Sequence, residues 1–228
     1  MKATELLARG LEQLAYPLPA DAAARLLAYL ALLEKWNHAI NLTAIREVER
    51  MVPQHLLDSL SVLPHLLASE TTLADIGTGA GLPGIPLAIA RPNLQVTLVE
   101  PNQKKVAFMR QAKLELGLTN VEVVGKRVED AIGPLYQVVI SRAFADLPDF
   151  VKAAGPLVAA GGRLIAMKGV VPYEEFTKLP AHAETSVQAV DVPELQATRH
   201  LIVVRFNPAL AVLPAEAVAA PALGKTGS

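Results

Sequence analysis

The stretch "LADIGTGAGLPGIPLAIARP", residues 73–92, decides the fold. Gly77, Gly79, Gly81 and Gly84 fall within eight positions, between an apolar run and a segment of helical character. Glycine there lets the backbone approach a ligand that a Cβ would block, and it permits positive φ. Gly79-Ala80-Gly81-Leu82-Pro83-Gly84 satisfies G-x-G-x-x-G, the dinucleotide fingerprint. Asp75-Ile76-Gly77-Thr78-Gly79-Ala80-Gly81 equally satisfies D-x-G-x-G-x-G, which points to S-adenosylmethionine. The rest of the chain chooses between the two.

A length of 228 residues fits one domain with an appendage, large enough for a full buried core. The 52% hydrophobic content and mean hydropathy of +0.34 suit a folded globular chain. No apolar run approaches the ~18 to 20 uncharged residues of a membrane span. The opening MKATELLARGLEQLA intersperses charges with leucines, unlike a secretory signal. Cysteine is absent, which excludes disulfides, Cys-zinc sites and thiolate catalysis and agrees with an expected cytoplasmic location. The net charge of −1 gives no bulk attraction to nucleic acid, so an RNA partner requires a local basic patch.

Outward from the glycines, short apolar runs alternate with helical patterns. Strands are expected near 72–76, 94–99, 121–124, 136–141 and 163–167. Between the second and third, Phe108, Met109, Ala112 and Leu116 form a helix face, and Gly117 suits the position past its end. This alternation predicts an α/β fold, a mostly parallel Rossmann-like sheet covered on both faces. The last two runs, 185–192 and 200–206, are too close for a crossover helix and are expected as antiparallel neighbours at one edge. Upstream, helices are expected from Asp21, as N-cap, to Trp36 and from about Gln54 to Leu67, joined through a polar turn at 37–43. The predicted organisation is a helical extension over 1–66, a core over 67–207 and a tail over 208–228 without periodicity, expected to stay mobile.

Ligands of open α/β sheets bind beyond the carboxyl ends of the strands, where the winding reverses. The first strand leads into the glycines. The second ends at Glu100, an acid placed to accept ribose hydroxyls of either candidate. Three features then favour S-adenosylmethionine. Asp75 would repel a pyrophosphate but attract an ammonium and a sulfonium. Pro83 and Pro86 remove two N–H groups from the helix start that a pyrophosphate would use. After the third strand, Arg127-Val128-Glu129-Asp130 places acids to meet an adenine amino group.

Six blocks make the reading more specific: Asn41-Leu42-Thr43, His55-Leu56-Leu57-Asp58-Ser59, the glycine stretch through Leu87, Ser141-Arg142-Ala143, Met167-Lys168-Gly169 and Arg199-His200-Leu201. In this order over residues 41 to 201 the chain resembles the glucose-inhibited division protein B family (GidB, or RsmG). The resemblance implies a class I S-adenosylmethionine-dependent fold and methylation of a guanine N7 in 16S ribosomal RNA. It implies a cofactor site containing Gly77, Leu82, Val128, Glu129 and Arg142, beside Asp75, Gly79, Gly81 and Glu100. The expected partner is 16S ribosomal RNA or an assembling small subunit, and the protein is expected to be a monomer.

The residues accommodate that chemistry. Methyl transfer from a sulfonium is an in-line displacement governed by alignment. Pyrimidine C5 methylation needs a cysteine, which is lacking. Amino-group methylation of the N/D-P-P-Y/F kind needs that motif where Ser141-Arg142-Ala143-Phe144 stands. Magnesium-dependent O-methylation needs clustered carboxylates, whereas the later strand ends are cationic. A guanine N7 lone pair needs no general base. Arg142, Lys168 and Asn41 are therefore expected to position substrate, with a helix-bridging role equally open for Asn41, and Lys126, Arg127, Lys168 and Arg199 to bind RNA phosphates. His55 and Asp58 are expected at a helix surface or cap rather than on a metal, since no third ligand is suitably spaced. Phe144 and Tyr173 are the only aromatic candidates for base stacking near the crevice, with a core role open for both. Two other function classes stay open on residues alone, an NAD-dependent oxidoreductase and a non-enzymatic adenosine-ligand sensor.

Overall fold

Seven strands form one sheet in the order β3-β2-β1-β4-β5-β7-β6 in the computed structural model, which describes residues 2–131 and 133–207. The expected mobile tail from Pro208 onward lies outside the described residues. Strands β1 (Thr72–Ile76), β2 (Gln95–Val99), β3 (Val121–Val124), β4 (Tyr136–Ser141) and β5 (Val158–Lys168) are mutually parallel. The chain steps outward from β1 to β2 to β3, then returns past β1 to β4 and β5. The winding therefore reverses beside β1, which opens a crevice at the carboxyl ends there. β7 (Arg199–Phe206) inserts antiparallel between β5 and β6 (Ala183–Val190), the arrangement that their short connection predicts.

β5 differs most from its expected span. Its buried half, Leu164–Met167, is the apolar run visible in the sequence, but pairing begins at Val158 and passes two glycines. Gly161 sits at φ +75°, and a Cβ on Gly162 would lie 2.8 Å from the Gln137 carbonyl oxygen. The glycines let the strand enter beside β4 where the register shifts, between Tyr136 and Val138.

Helices cover both faces. α1 (Ala3–Leu14), α2 (Ala22–Ile40), α5 (Gly84–Ala90) and α6 (Gln103–Glu115) lie on one face, and α7 (Leu147–Ala154) on the other. On the first face Leu26, Leu33, Leu56 and Leu60 join Leu73, Val96 and Leu98 in one core, so the N-terminal helices share their interior with the sheet. On the second, Leu147 and Phe150 pack with Val139 and Leu164. Each fully buried leucine or phenylalanine contributes roughly 1.5 to 3 kcal/mol relative to exposure.

Two helix boundaries depart from expectation. α2 continues into the predicted turn as far as Ile40: Asn37 is buried within it, accepting from Thr43 N at 2.9 Å and donating to the Ile45 carbonyl at 3.2 Å. The helix ends only at Asn41, at φ 47°. Asp21 makes no side-chain cap bond and pairs instead with Arg25 at 3.8 Å. Downstream, helix starts at Val48 rather than Gln54. α3 (Val48–Met51) runs through a π-helical turn (Val52–Leu57) into α4 (Asp58–Leu60), and the chain reaches β1 through a 3₁₀ turn (Leu63–His65). Pro53 has no N–H for the ladder, and across it the bonds widen until Asp58 N reaches the Pro53 carbonyl.

Candidate active site

The loop after β1 is folded by its own backbone. Gly77, Gly79 and Gly81 all take positive φ, at 64°, 63° and 90°. Gly77 N donates to the Val99 carbonyl at 2.9 Å, and Gly81 N to the Thr78 carbonyl at 3.0 Å. A Cβ on Gly79 would meet nothing within 4 Å, so its glycine answers to backbone conformation and open space. From behind, the buried Tyr29 of α2 donates its hydroxyl to the Ala80 carbonyl at 2.8 Å.

Asp75 lies buried beneath the glycine loop. It is 0% exposed, and Oδ2 accepts from Thr78 Oγ1 at 2.5 Å and Gly84 N at 2.8 Å. Burial pushes its carboxyl up to about 7, against those two hydrogen bonds and the Arg142 charge. Through Oδ2 Asp75 braces the loop against the start of α5, while its buried Oδ1 has no hydrogen-bond partner among the described residues. Glu100 stands at the tip of β2 as expected. It is 5% exposed, with Oε2 accepting from Gly79 N at 2.9 Å and Oε1 from Asn102 N at 3.0 Å.

Parallel strands bring the other predicted residues to the same end of the sheet. In spatial order come Lys126 and Arg127 after β3, Glu100 after β2, the glycines after β1, Arg142 after β4 and Lys168 at the end of β5. Val128 and Glu129, on a short 3₁₀ turn (Val128–Asp130), line a cavity of about 740 Å³ together with Phe144 and Leu157. Lys126 and Arg127 are exposed and make no side-chain hydrogen bond among the described residues. Leu82, 4% exposed, belongs to the core behind the loop, so it shapes the cradle from inside.

On the other side of the glycine loop, Gln54, His55, Asp58, Arg142, Lys168 and Arg199 line a second cavity, of about 360 Å³. Arg142 Nη1 donates to the Gln54 carbonyl at 3.1 Å and to Asp58 Oδ2 at 3.2 Å. Arg199 Nε donates to Asp58 Oδ1 at 2.9 Å. Asp58 is thus 2% exposed and shared by two guanidiniums, not a surface or capping residue. The sequence signal was available: a carboxylate inside the leucine run HLLDSL needs a cationic partner. His55 is buried too. Its Nδ1 lies 3.0 Å from the Gln54 carbonyl and its Nε2 2.8 Å from Thr43 Oγ1, so Nδ1 donates and Nε2 accepts. Burial and the Arg142 charge lower its pKa to about 4 and keep it neutral near pH 7.

The remaining candidates are held by the protein itself or stand apart from the cavity. Lys168 directs its ammonium to the Phe144 and Ala145 carbonyls at 2.7 and 2.8 Å, so two of its three donors fasten the loop after β4. Asn41 caps α2 and accepts from Arg46 Nη2 at 2.7 Å; it is not among the residues lining the cavity. Phe144 packs on Phe150, with ring centroids 5.2 Å apart, while Tyr173 is 69% exposed beside Phe176. Among the described residues no group of three His, Asp or Glu could hold a metal, and no helix is long and apolar enough to cross a membrane.

Comparison with known proteins adds lineage to this geometry. A family model described as rRNA small subunit methyltransferase G (GidB) matches residues 22–202. The chain is 51% identical over 208 residues to the ribosomal RNA small subunit methyltransferase G of Nitrosospira multiformis, covering 87% of this chain and 95% of that one. It is 54% identical over 202 residues to the protein of the same name from Chromobacterium violaceum, covering 87% and 96%. Among solved structures, the O-methyltransferase TomG of Streptomyces achromogenes, in complex with S-adenosylmethionine, matches with a TM-score of 0.60 at 14% identity over 90% of this chain and 99% of that one.

Proposed function

The chain belongs to the rRNA small subunit methyltransferase G family, and on that premise we propose that it methylates N7 of a guanine in 16S ribosomal RNA. Its donor is S-adenosylmethionine, whose sulfonium supplies an electrophilic methyl group. The residues fit that cofactor. A loop of left-handed glycines leaves open space at Gly79, and Glu100 holds a carboxylate at the β2 tip where ribose hydroxyls can donate to it. Val128 and Glu129 border the next cavity, on the adenine side.

The observation that carries the choice of acceptor is that the two candidate bases lining the cavity beside Arg142, Asp58 and His55, are both engaged. Both oxygens of Asp58 pair with arginines, and both nitrogens of His55 have partners. An amine or hydroxyl acceptor would have to lose a proton during transfer. A ring-nitrogen lone pair does not, and alignment then supplies the catalysis. Arg142 and Arg199 border this cavity, where they suit RNA phosphate or the guanine O6. The small-subunit RNA is the proposed partner, free or assembling, and the enzyme is proposed to act as a monomer.

The pH dependence of single-turnover transfer tests the acceptor. With no base to ionise, the rate is expected to stay within about twofold from about pH 6 to about pH 9. A rate climbing tenfold per pH unit would contradict an acceptor that needs no deprotonation.

A further inference from the structure

Asp58 joins the helical layer to the sheet at the floor of the 360 Å³ cavity. Its side chain is 3% exposed, whereas those of Arg142 and Arg199 are 27% and 28% exposed. The carboxylate lies below and the guanidiniums reach the opening. Arg142 uses Nη1 on Asp58 and the Gln54 carbonyl; Arg199 uses Nε on Asp58 and Nη1 on the Thr198 carbonyl. Nη2 of each arginine has no protein partner among the described residues. Two guanidiniums against one carboxylate leave the cavity positive, so an anion fits it.

We propose that Asp58 is a positioning residue for RNA: its two oxygens fix two arginine forks so that their remaining N–H groups converge on one phosphodiester beside the target guanine. The proposal rests on the methyl-transfer reading above. An arginine fork is planar, so fixing one N–H fixes the direction of the others. A free arginine would instead sample many rotamers and lose conformational entropy on binding phosphate. Asp58 removes that loss before RNA arrives. The carboxylate would repel a phosphate by charge alone, so position and charge predict opposite effects of its removal.

The test is methyl transfer into 16S ribosomal RNA by wild type, Asp58→Asn, Arg199→Lys and the double variant, with KM for RNA and kcat separated. Wild type inactive on this RNA would contradict the proposed function itself, independently of Asp58. With wild type active, Asp58→Asn is expected to raise KM for RNA on the order of tenfold, with a smaller change in kcat. Arg199→Lys keeps the charge but loses the fork, and is expected to raise KM similarly. The double variant is expected to be little worse than either, because both changes remove one device. A lowered or unchanged KM in Asp58→Asn overturns the proposal, as do KM effects that simply add. Should Asp58→Asn fail to fold, a wild-type KM in Arg199→Lys overturns it equally.

Discussion

The backbone N–H of Gly79 donates to the carboxylate of Glu100 at 2.9 Å, tying the apex of the loop after β1 to the tip of β2. One side chain thereby shapes the cradle and, on the proposed reading, presents the acid for ribose. Glu100→Ala is expected to weaken S-adenosylhomocysteine binding by about 1.5 to 3 kcal/mol, the range for charge-assisted hydrogen bonds. Calorimetry measures this directly; unchanged affinity would show that the ribose lies elsewhere.

Two glycine substitutions differ in how far they disturb the core. Gly77 has φ +64°, and its nearest neighbour to an added Cβ is Ala143 Cβ at 3.6 Å. Gly77→Val is expected to abolish cofactor binding and to destabilise the fold by at least about 1 to 2 kcal/mol from left-handed strain. At Gly84 an added Cβ would lie 2.3 Å from Leu98 Cδ2 and 2.9 Å from Asp75 Oδ2. Gly84→Ala therefore disrupts core and loop together, and chemical denaturation should show the larger stability loss there.

Lys168 separates a loop anchor from a phosphate contact. Removing an ammonium that holds two carbonyls frees the loop after β4 and leaves those oxygens to water. Lys168→Ala is expected to lower stability by about 1 to 3 kcal/mol, as for hydrogen bonds from a charged group. It should leave the logarithmic salt slope of RNA binding unchanged. A slope flatter by about one unit would instead assign Lys168 to a phosphate.

Asp75 and His55 give stability opposing pH dependences. The folded pKa of His55, about 4, lies below its ordinary 6.5, so unfolding takes up a proton below that value. Its contribution is complete above pH 6.5 and is lost as pH falls through 4. Asp75 is raised from 3.8 to about 7, so its contribution is complete below 3.8 and is lost as pH rises through 7. Asp75→Asn, whose amide oxygen can still accept from Thr78 and Gly84, is expected to lose less stability than wild type between about pH 4 and 7. His55→Gln should lose less than wild type on acidification below pH 6.5. Parallel curves for wild type and both variants would contradict these assignments.

The sheet was legible because its central strands carry apolar runs and the glycine stretch marks the crevice. The antiparallel edge followed from the short link between β6 and β7 alone. What the sequence hid was pairing across long separations. Asp58 meets Arg199 over 141 positions and Arg142 over 84, and no periodicity reports such partners. The motif position of Asp75 is visible in the sequence, while its burial is not. The first half of β5 was unreadable because glycine and alanine carry no strand signal until β4 lies beside them.

The most direct measurement is transfer of a labelled methyl group from S-adenosylmethionine into 16S ribosomal RNA lacking that modification, followed by borohydride and aniline cleavage. Strand scission at a single guanine, dependent on the enzyme and lost in Gly77→Val, is the predicted result. Label incorporated without scission would place the methyl group on another atom, and no incorporation into RNA or small subunits would contradict the assignment of this site to ribosomal RNA.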